Sequence, residues 1–99
     1  SVIAADVKLG EGVQIMAGAV VQSGCEIGDN TIINTSASVD HECQIGPHTH
    51  LAPGVVLSGN VCVGELGHVG TGAKIIQSMR VGPRSFIKAG AVVASDIQD

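Results

Sequence analysis

Aromatic side chains are nearly missing from this chain: Phe86 stands alone, with no tryptophan and no tyrosine in 99 residues. Ordinary globular cores use large flat rings to fill volume. A chain that is 44% hydrophobic without them fills its interior with Val, Ile, Leu, Ala and Thr, which suits stacked, repetitive layers. Basic residues are also scarce, five against nine acidic ones for a net charge of −4. That removes the positive footprint nucleic-acid binding needs. No apolar run is long enough to span a bilayer, and no signal-peptide pattern opens the chain, so the expected setting is cytoplasmic, with no membrane partner. The three cysteines, Cys25, Cys43 and Cys62, follow no metal-ligand spacing and read as small buried thiols of a reducing compartment. The length fits one domain, residues 1–99, whose modest core needs regular packing or oligomerisation to support it.

What is present is a repeat. From Ile3 every sixth residue to Val93 is Leu, Ile or Val, without an insertion. With these residues as position 1 of a hexad, position 5 (Val7, Val13, Ala19, Cys25, Thr31 and onward to Ile97) carries no charge. Positions 5 and 1 are two residues apart, so on a strand they share a face. Position 4 holds Gly12, Gly18, Gly24, Gly54, Gly72 and Gly90 together with Asn30, Asn60, Asp6 and Asp96, residue types that accept the positive φ of a sharp corner. Each hexad is therefore one short strand and one corner. A longer period sets the closure: Gly10, Gly28, Gly46, Gly64 and Gly82 recur every 18 residues, as do Cys25 and Cys43. Three hexads per coil make a triangle, with residues 18 apart stacked about 4.8 Å from one another. The expected fold is an all-β parallel β-helix of hexapeptide repeats, about five triangular coils and roughly 24 Å tall. Its open ends need capping or neighbours, as they would in a segment of a longer protein.

A plain prism needs no histidine, yet His41, His48, His50 and His68 cluster along it. The corners near them carry Ser36 and Glu42 in place of glycine. His41 occupies position 3, in the outward column Ala5, Ser23, His41, Gly59, Gln77. Glycine directly above the imidazole leaves open space and an accessible backbone N–H for a developing oxyanion. Asp40 and Glu42 flank it, and a carboxylate on one ring nitrogen would leave the other as a base near neutral pH. Two readings of His41 stand side by side, an exposed surface histidine and a general base. His50 and His68 share position 6 one coil apart. They read as a pair of metal ligands completed by a neighbouring subunit, as the wall of a substrate groove, or as surface residues; no Cys or carboxylate shares their column. Lys74, Arg80, Arg84 and Lys88 form a late basic group that suits cofactor phosphates or a solvated surface.

The decorated run from Asn34 to Gly59, NTSASVDHECQIGPHTHLAPGVVLSG, resembles the sialic acid O-acetyltransferase-like family of hexapeptide-repeat acyltransferases, which includes the N-acetyltransferases of UDP-linked 4-amino sugars. The match lies in Asn34-Thr35-Ser36, His41-Glu42-Cys43, Ile45-Gly46, His50 and Gly59-Asn60. The resemblance implies a left-handed helix, a homotrimer with coenzyme A in the groove between two prisms, and direct acetyl transfer from acetyl-CoA to an amino or hydroxyl group of a sugar or nucleotide-sugar. By the same resemblance His41 is the general base, Glu42 orients or polarises it, Gly59 gives its amide to the thioester carbonyl, His50 helps place the acceptor or the acetyl group, and Asn34 lies near the same site as a substrate-binding residue. The expected cofactor-binding residues are Gly59 and His50 from the resemblance, His68 from the groove reading of its column, and Lys74 and Arg80 from the basic group, with no metal expected. Family members carry an N-terminal nucleotide-sugar-binding domain and a Gly-x-Pro-Ala tail, and neither is found here. Two alternatives are a zinc enzyme like the γ-carbonic anhydrases, whose His-x4-His pair is absent, and a non-catalytic structural β-helix.

Overall fold

The structure, a computed structural model, describes residues 1–98. Sixteen strands of two residues each run from Val2–Ile3 to Val92–Val93, one per hexad. They form three parallel sheets. The first face contains Val2–Ile3, Val20–Val21, Ser38–Val39, Val56–Leu57, Lys74–Ile75 and Val92–Val93. The second contains Lys8–Leu9, Glu26–Ile27, Gln44–Ile45, Cys62–Val63 and Arg80–Val81. The third contains Gln14–Ile15, Ile32–Ile33, His50–Leu51, His68–Val69 and Phe86–Ile87. Every register pair between the sixteen strands is offset by 18 residues, for example Ser38 with Val56 and His50 with His68. The expected three-hexad coil is therefore the observed one. Five coils close and the sixth strand of the first face begins another, in a body 30 × 20 × 20 Å.

Each strand is paired at positions 6 and 1, and position 1 turns inward. From Val21 to Val93 every position-1 residue is buried, and position 5 adds Ala19, Cys25, Thr31, Ala37, Cys43, Thr49, Val55, Val61 and Ala73. One branched and one smaller side chain per strand fill a cross-section too narrow for rings, which is why the aromatic content is so low.

The corners behave as position 4 requires, from Gly12 to Gly90. Every residue there has φ between 56° and 79°, including Ser36, Glu42, His48, Leu66, Ser78 and Arg84. Asp6 and Asp96, expected to share that conformation, are outside the positive-φ set; they stand in the first and last corners of the helix. The glycine column at position 2 has a separate cause. A Cβ on Gly46 would lie 2.5 Å from the main-chain nitrogen of Glu65, and one on Gly28 would lie 2.5 Å from that of Pro47. At the edge between the second and third faces, successive coils approach too closely for any side chain.

Candidate active site

The ladder leaves the position-3 amides unused among the described residues. Main-chain bonds between coils are donated at positions 6, 2 and 4, as by Ser38, Asp40 and Glu42, while position 3 gives no N–H to another main chain. All three prolines, Pro47, Pro53 and Pro83, sit at position 3, where a missing N–H costs no ladder bond. His41 and Gly59 are position-3 residues on successive coils of the edge between the first and second faces. The His41 N–H is capped locally by Asp40 Oδ1 at 2.7 Å. The Gly59 N–H has no acceptor among the described residues.

The His41 imidazole lies over Gly59. A Cβ built on Gly59 would be 2.8 Å from both Cε1 and Nε2 of the ring, and the Asn60 N–H donates to the His41 carbonyl at 2.9 Å. Gly59 is buried beneath a ring that is itself exposed. A free imidazole nitrogen and an unpartnered amide donor thus share one patch of surface. An unsatisfied amide on a buried residue is costly unless water or a ligand accepts it, so the patch is chemically poised toward an acceptor oxygen.

The expected carboxylate support for His41 does not form within this edge. Glu42, with φ 61°, folds its carboxylate back over Gly24, where a Cβ would stand 2.5 Å from both oxygens. Its N–H donates to the Ser23 carbonyl at 3.0 Å. Asp40 is engaged with the His41 amide rather than its ring.

Asn34, His50 and His68 gather elsewhere, on the third face. Asn34 Oδ1 accepts from the Thr35 N–H at 2.7 Å and from Thr35 Oγ1 at 3.2 Å. That fixes the amide so that Nδ2 points at His50 Nε2, 3.2 Å away. Nε2 is then the acceptor, and the assigned network makes His50 a neutral ring protonated at Nδ1. Burial, and then the charge of His68, hold the His50 pKa below its usual value. The His68 ring meets His50 edge-on at 4.9 Å and stacks on Phe86 at 5.0 Å. Among the described residues no three His, Cys, Asp or Glu side chains converge as a metal-binding group.

The bacterial transferase hexapeptide pattern of six repeats matches residues 6–41 and again 24–59, together more than half of the chain. The chain belongs to the bacterial transferase hexapeptide family. Solved relatives resemble this hexapeptide-family chain along its whole length. The acetyltransferase domain of PglB from Neisseria gonorrhoeae, in complex with acetyl coenzyme A, is 42% identical with a TM-score of 0.98, over 99% of this chain and 48% of that one. PerB from Caulobacter crescentus, in complex with CoA and GDP-perosamine, is 44% identical with a TM-score of 0.98, over 99% and 47%. A histidine-to-asparagine mutant of perosamine N-acetyltransferase from the same organism is 43% identical with a TM-score of 0.98, over 99% and 47%. The chain spans about half the length of these relatives. No curated protein sequence matches it significantly.

Within one hexapeptide prism the residues singled out from the sequence fall into two groups. His41, Glu42 and Gly59 occupy the edge between the first and second faces. Lys74 on the first face and Arg80 on the second bracket that same edge one coil above Gly59. Arg80 points Nη1 at Cys62 Sγ, 3.9 Å away, and both Arg80 and Lys74 are exposed. Asn34, His50 and His68 lie on or beside the third face, across the triangle from His41. A single prism does not bring the two groups together. Sequence reasoning missed the Asn34–His50 contact, because a corner side chain reaches sideways to a strand two residues out of the 18-residue register. It also missed the free position-3 amide, although the placement of the three prolines signals it.

Proposed function

We propose that this chain is the acetyl-CoA-dependent acyltransferase domain of a sugar N-acetyltransferase, acting on the amino group of a nucleotide-linked sugar. The observation that carries this reading is the His41 ring over Gly59, whose N–H lacks a partner among the described residues. Relatives at 42–44% identity, solved with acetyl coenzyme A or with CoA and GDP-perosamine, support the donor and the acceptor class. They favour an amine over a hydroxyl as the attacking group.

In the proposed reaction the acceptor amine attacks the thioester carbonyl directly. His41 Nε2 takes the proton of the attacking nitrogen, and the Gly59 N–H stabilises the tetrahedral oxyanion before the coenzyme A thiolate leaves. Glu42 adds negative charge along the same edge. Lys74 and Arg80, bracketing the edge, hold anionic groups of the coenzyme. Asn34, His50 and His68 complete the site from a second copy of the chain, whose third face meets the His41 edge in a homotrimer. The separation of the two groups across one prism supports this composite site. The donor and the two buried free thiols, Cys25 and Cys43, fit a reducing cytoplasm.

The test is acetyl-CoA turnover with a panel of nucleotide-linked amino sugars, read as release of coenzyme A thiol. Release is expected only with an amino acceptor, and His41→Ala should slow it by about 10²–10⁴-fold with folding intact. If acetyl-CoA neither binds nor raises the melting temperature, the acyltransferase reading is wrong.

A further inference from the structure

The inside of the His41 edge carries two side chains that no role above uses. Cys25 and Cys43 are fully buried, free and stacked one coil apart. Each thiol donates to a main-chain carbonyl of the coil above, Cys25 Sγ to Asp40 O at 3.0 Å and Cys43 Sγ to Ser58 O at 3.2 Å. These are the carbonyls immediately before His41 and Gly59. The remaining inner positions of this edge hold Val7, Val61 and Met79. None of them can donate, and the Gln22 and Ile76 carbonyls above Val7 and Val61 receive no hydrogen bond among the described residues. Along this edge the thiols therefore stand only under the two rungs that bear His41 and Gly59.

The Ser58 carbonyl and the Gly59 N–H belong to one planar peptide group. A donor on the carbonyl orients that plane, and it polarises the amide so that the N–H becomes a stronger donor on the opposite side. The thiol is the only hydrogen-bond partner of the Ser58 carbonyl among the described residues. We infer that Cys43 is a positioning residue of the acyl-transfer site: from inside the prism its S–H holds the Ser58–Gly59 peptide so that the Gly59 N–H is aimed and polarised toward the oxyanion. This rests on the acetyltransferase reading for its catalytic consequence and on the hydrogen bond alone for its structural one. Burial pushes the Cys43 thiol up to about 12, so the proton it donates stays on sulfur throughout the working pH range. The same burial makes it a poor nucleophile.

Three variants separate donation from packing. Cys43→Val fills the interior as Val61 does one coil above but cannot donate; Cys43→Ala removes both volume and donor; Cys43→Ser restores a donor in a smaller volume. The expected result is a fall in kcat of about tenfold for Val and Ala, the scale of a misaimed oxyanion donor. KM for acetyl-CoA should be nearly unchanged, and Ser should recover to within about threefold of the parent. The Ser58 carbonyl 13C and Gly59 amide resonances should move together in Val and Ala and return in Ser. A Val variant indistinguishable from the parent, or a Ser variant as impaired as Ala, overturns the inference. The NMR series needs no turnover, so if it behaves as expected while the parent transfers no acetyl group, the fault lies with the acetyltransferase reading alone.

Discussion

The imidazole of His41 covers the bare Cα of Gly59 one coil above, so closely that a methyl group there would lie 2.8 Å from Nε2 and Cε1. The obstructing atoms belong to the mobile end of a side chain, and Gly59 is outside the positive-φ set. Gly59→Ala should therefore fold normally and displace the ring. The expected outcome is a melting temperature close to the parent's with a loss of about 10²-fold in kcat. An active alanine variant would remove His41 from its assigned place.

Gly46 presents the opposite case. A Cβ there meets the main-chain nitrogen of Glu65 at 2.5 Å, and backbone cannot step aside. Gly46→Ala should cost about 1–3 kcal/mol by forcing adjacent coils apart, read as a lowered denaturation midpoint. The same substitution at Gly72, where a Cβ meets nothing within 4 Å, costs only the strain of its φ of 72° and provides the comparison.

Glu42 occupies a left-handed corner with φ 61°, a conformation that strains any residue with a Cβ. Glu42→Gly should stabilise the fold by about 0.5–1 kcal/mol once the extra chain entropy of glycine is subtracted. If its charge supports His41, Glu42→Gly and Glu42→Gln should lose activity alike while only the glycine variant gains stability. Thermal denaturation and turnover measured on the same two proteins check both halves.

Acid should act through His50. Its folded pKa lies below the ordinary 6.5 because burial, and then His68, disfavour the charged ring. Protonation would also set two donors, Asn34 Nδ2 and His50 Nε2, against each other. The unfolded chain therefore takes up this proton first. The contribution of neutral His50 to stability is complete above 6.5 and is lost as the pH falls through the folded pKa. Denaturation midpoints between about pH 7.5 and 5 should fall less in His50→Gln than in the parent. Equal slopes would show that His50 does not titrate as its surroundings require.

Much of this molecule was legible before any coordinates. Position 1 from Ile3 to Val93 named the inward column, and the recurrence of glycine every 18 residues named the coil. His41 and Gly59 follow from that arithmetic as neighbours on successive rungs, since a solenoid without insertions turns sequence distance directly into spatial distance. Asn34 and His50 do not follow from it. Their contact spans 16 residues and depends on a rotamer that Thr35 selects at the corner. Glu42 shows the same limit: adjacency in sequence suggested a carboxylate on the imidazole, but the left-handed corner turns it toward Gly24 instead.

The sequence by itself determined the three-sided coil, its inward and outward columns and the stacking of His41 on Gly59. These depend on the period of side-chain direction and on where glycine is tolerated, both of which are local. Only the tertiary structure decided that the Gly59 amide is left without a partner among the described residues, that Cys43 holds the other end of its peptide, and that Asn34, His50 and His68 stand across the prism from His41. Those facts depend on side-chain rotamers and on the order of faces around a closed triangle. Neither has a signature in a six-residue pattern that repeats identically on every side.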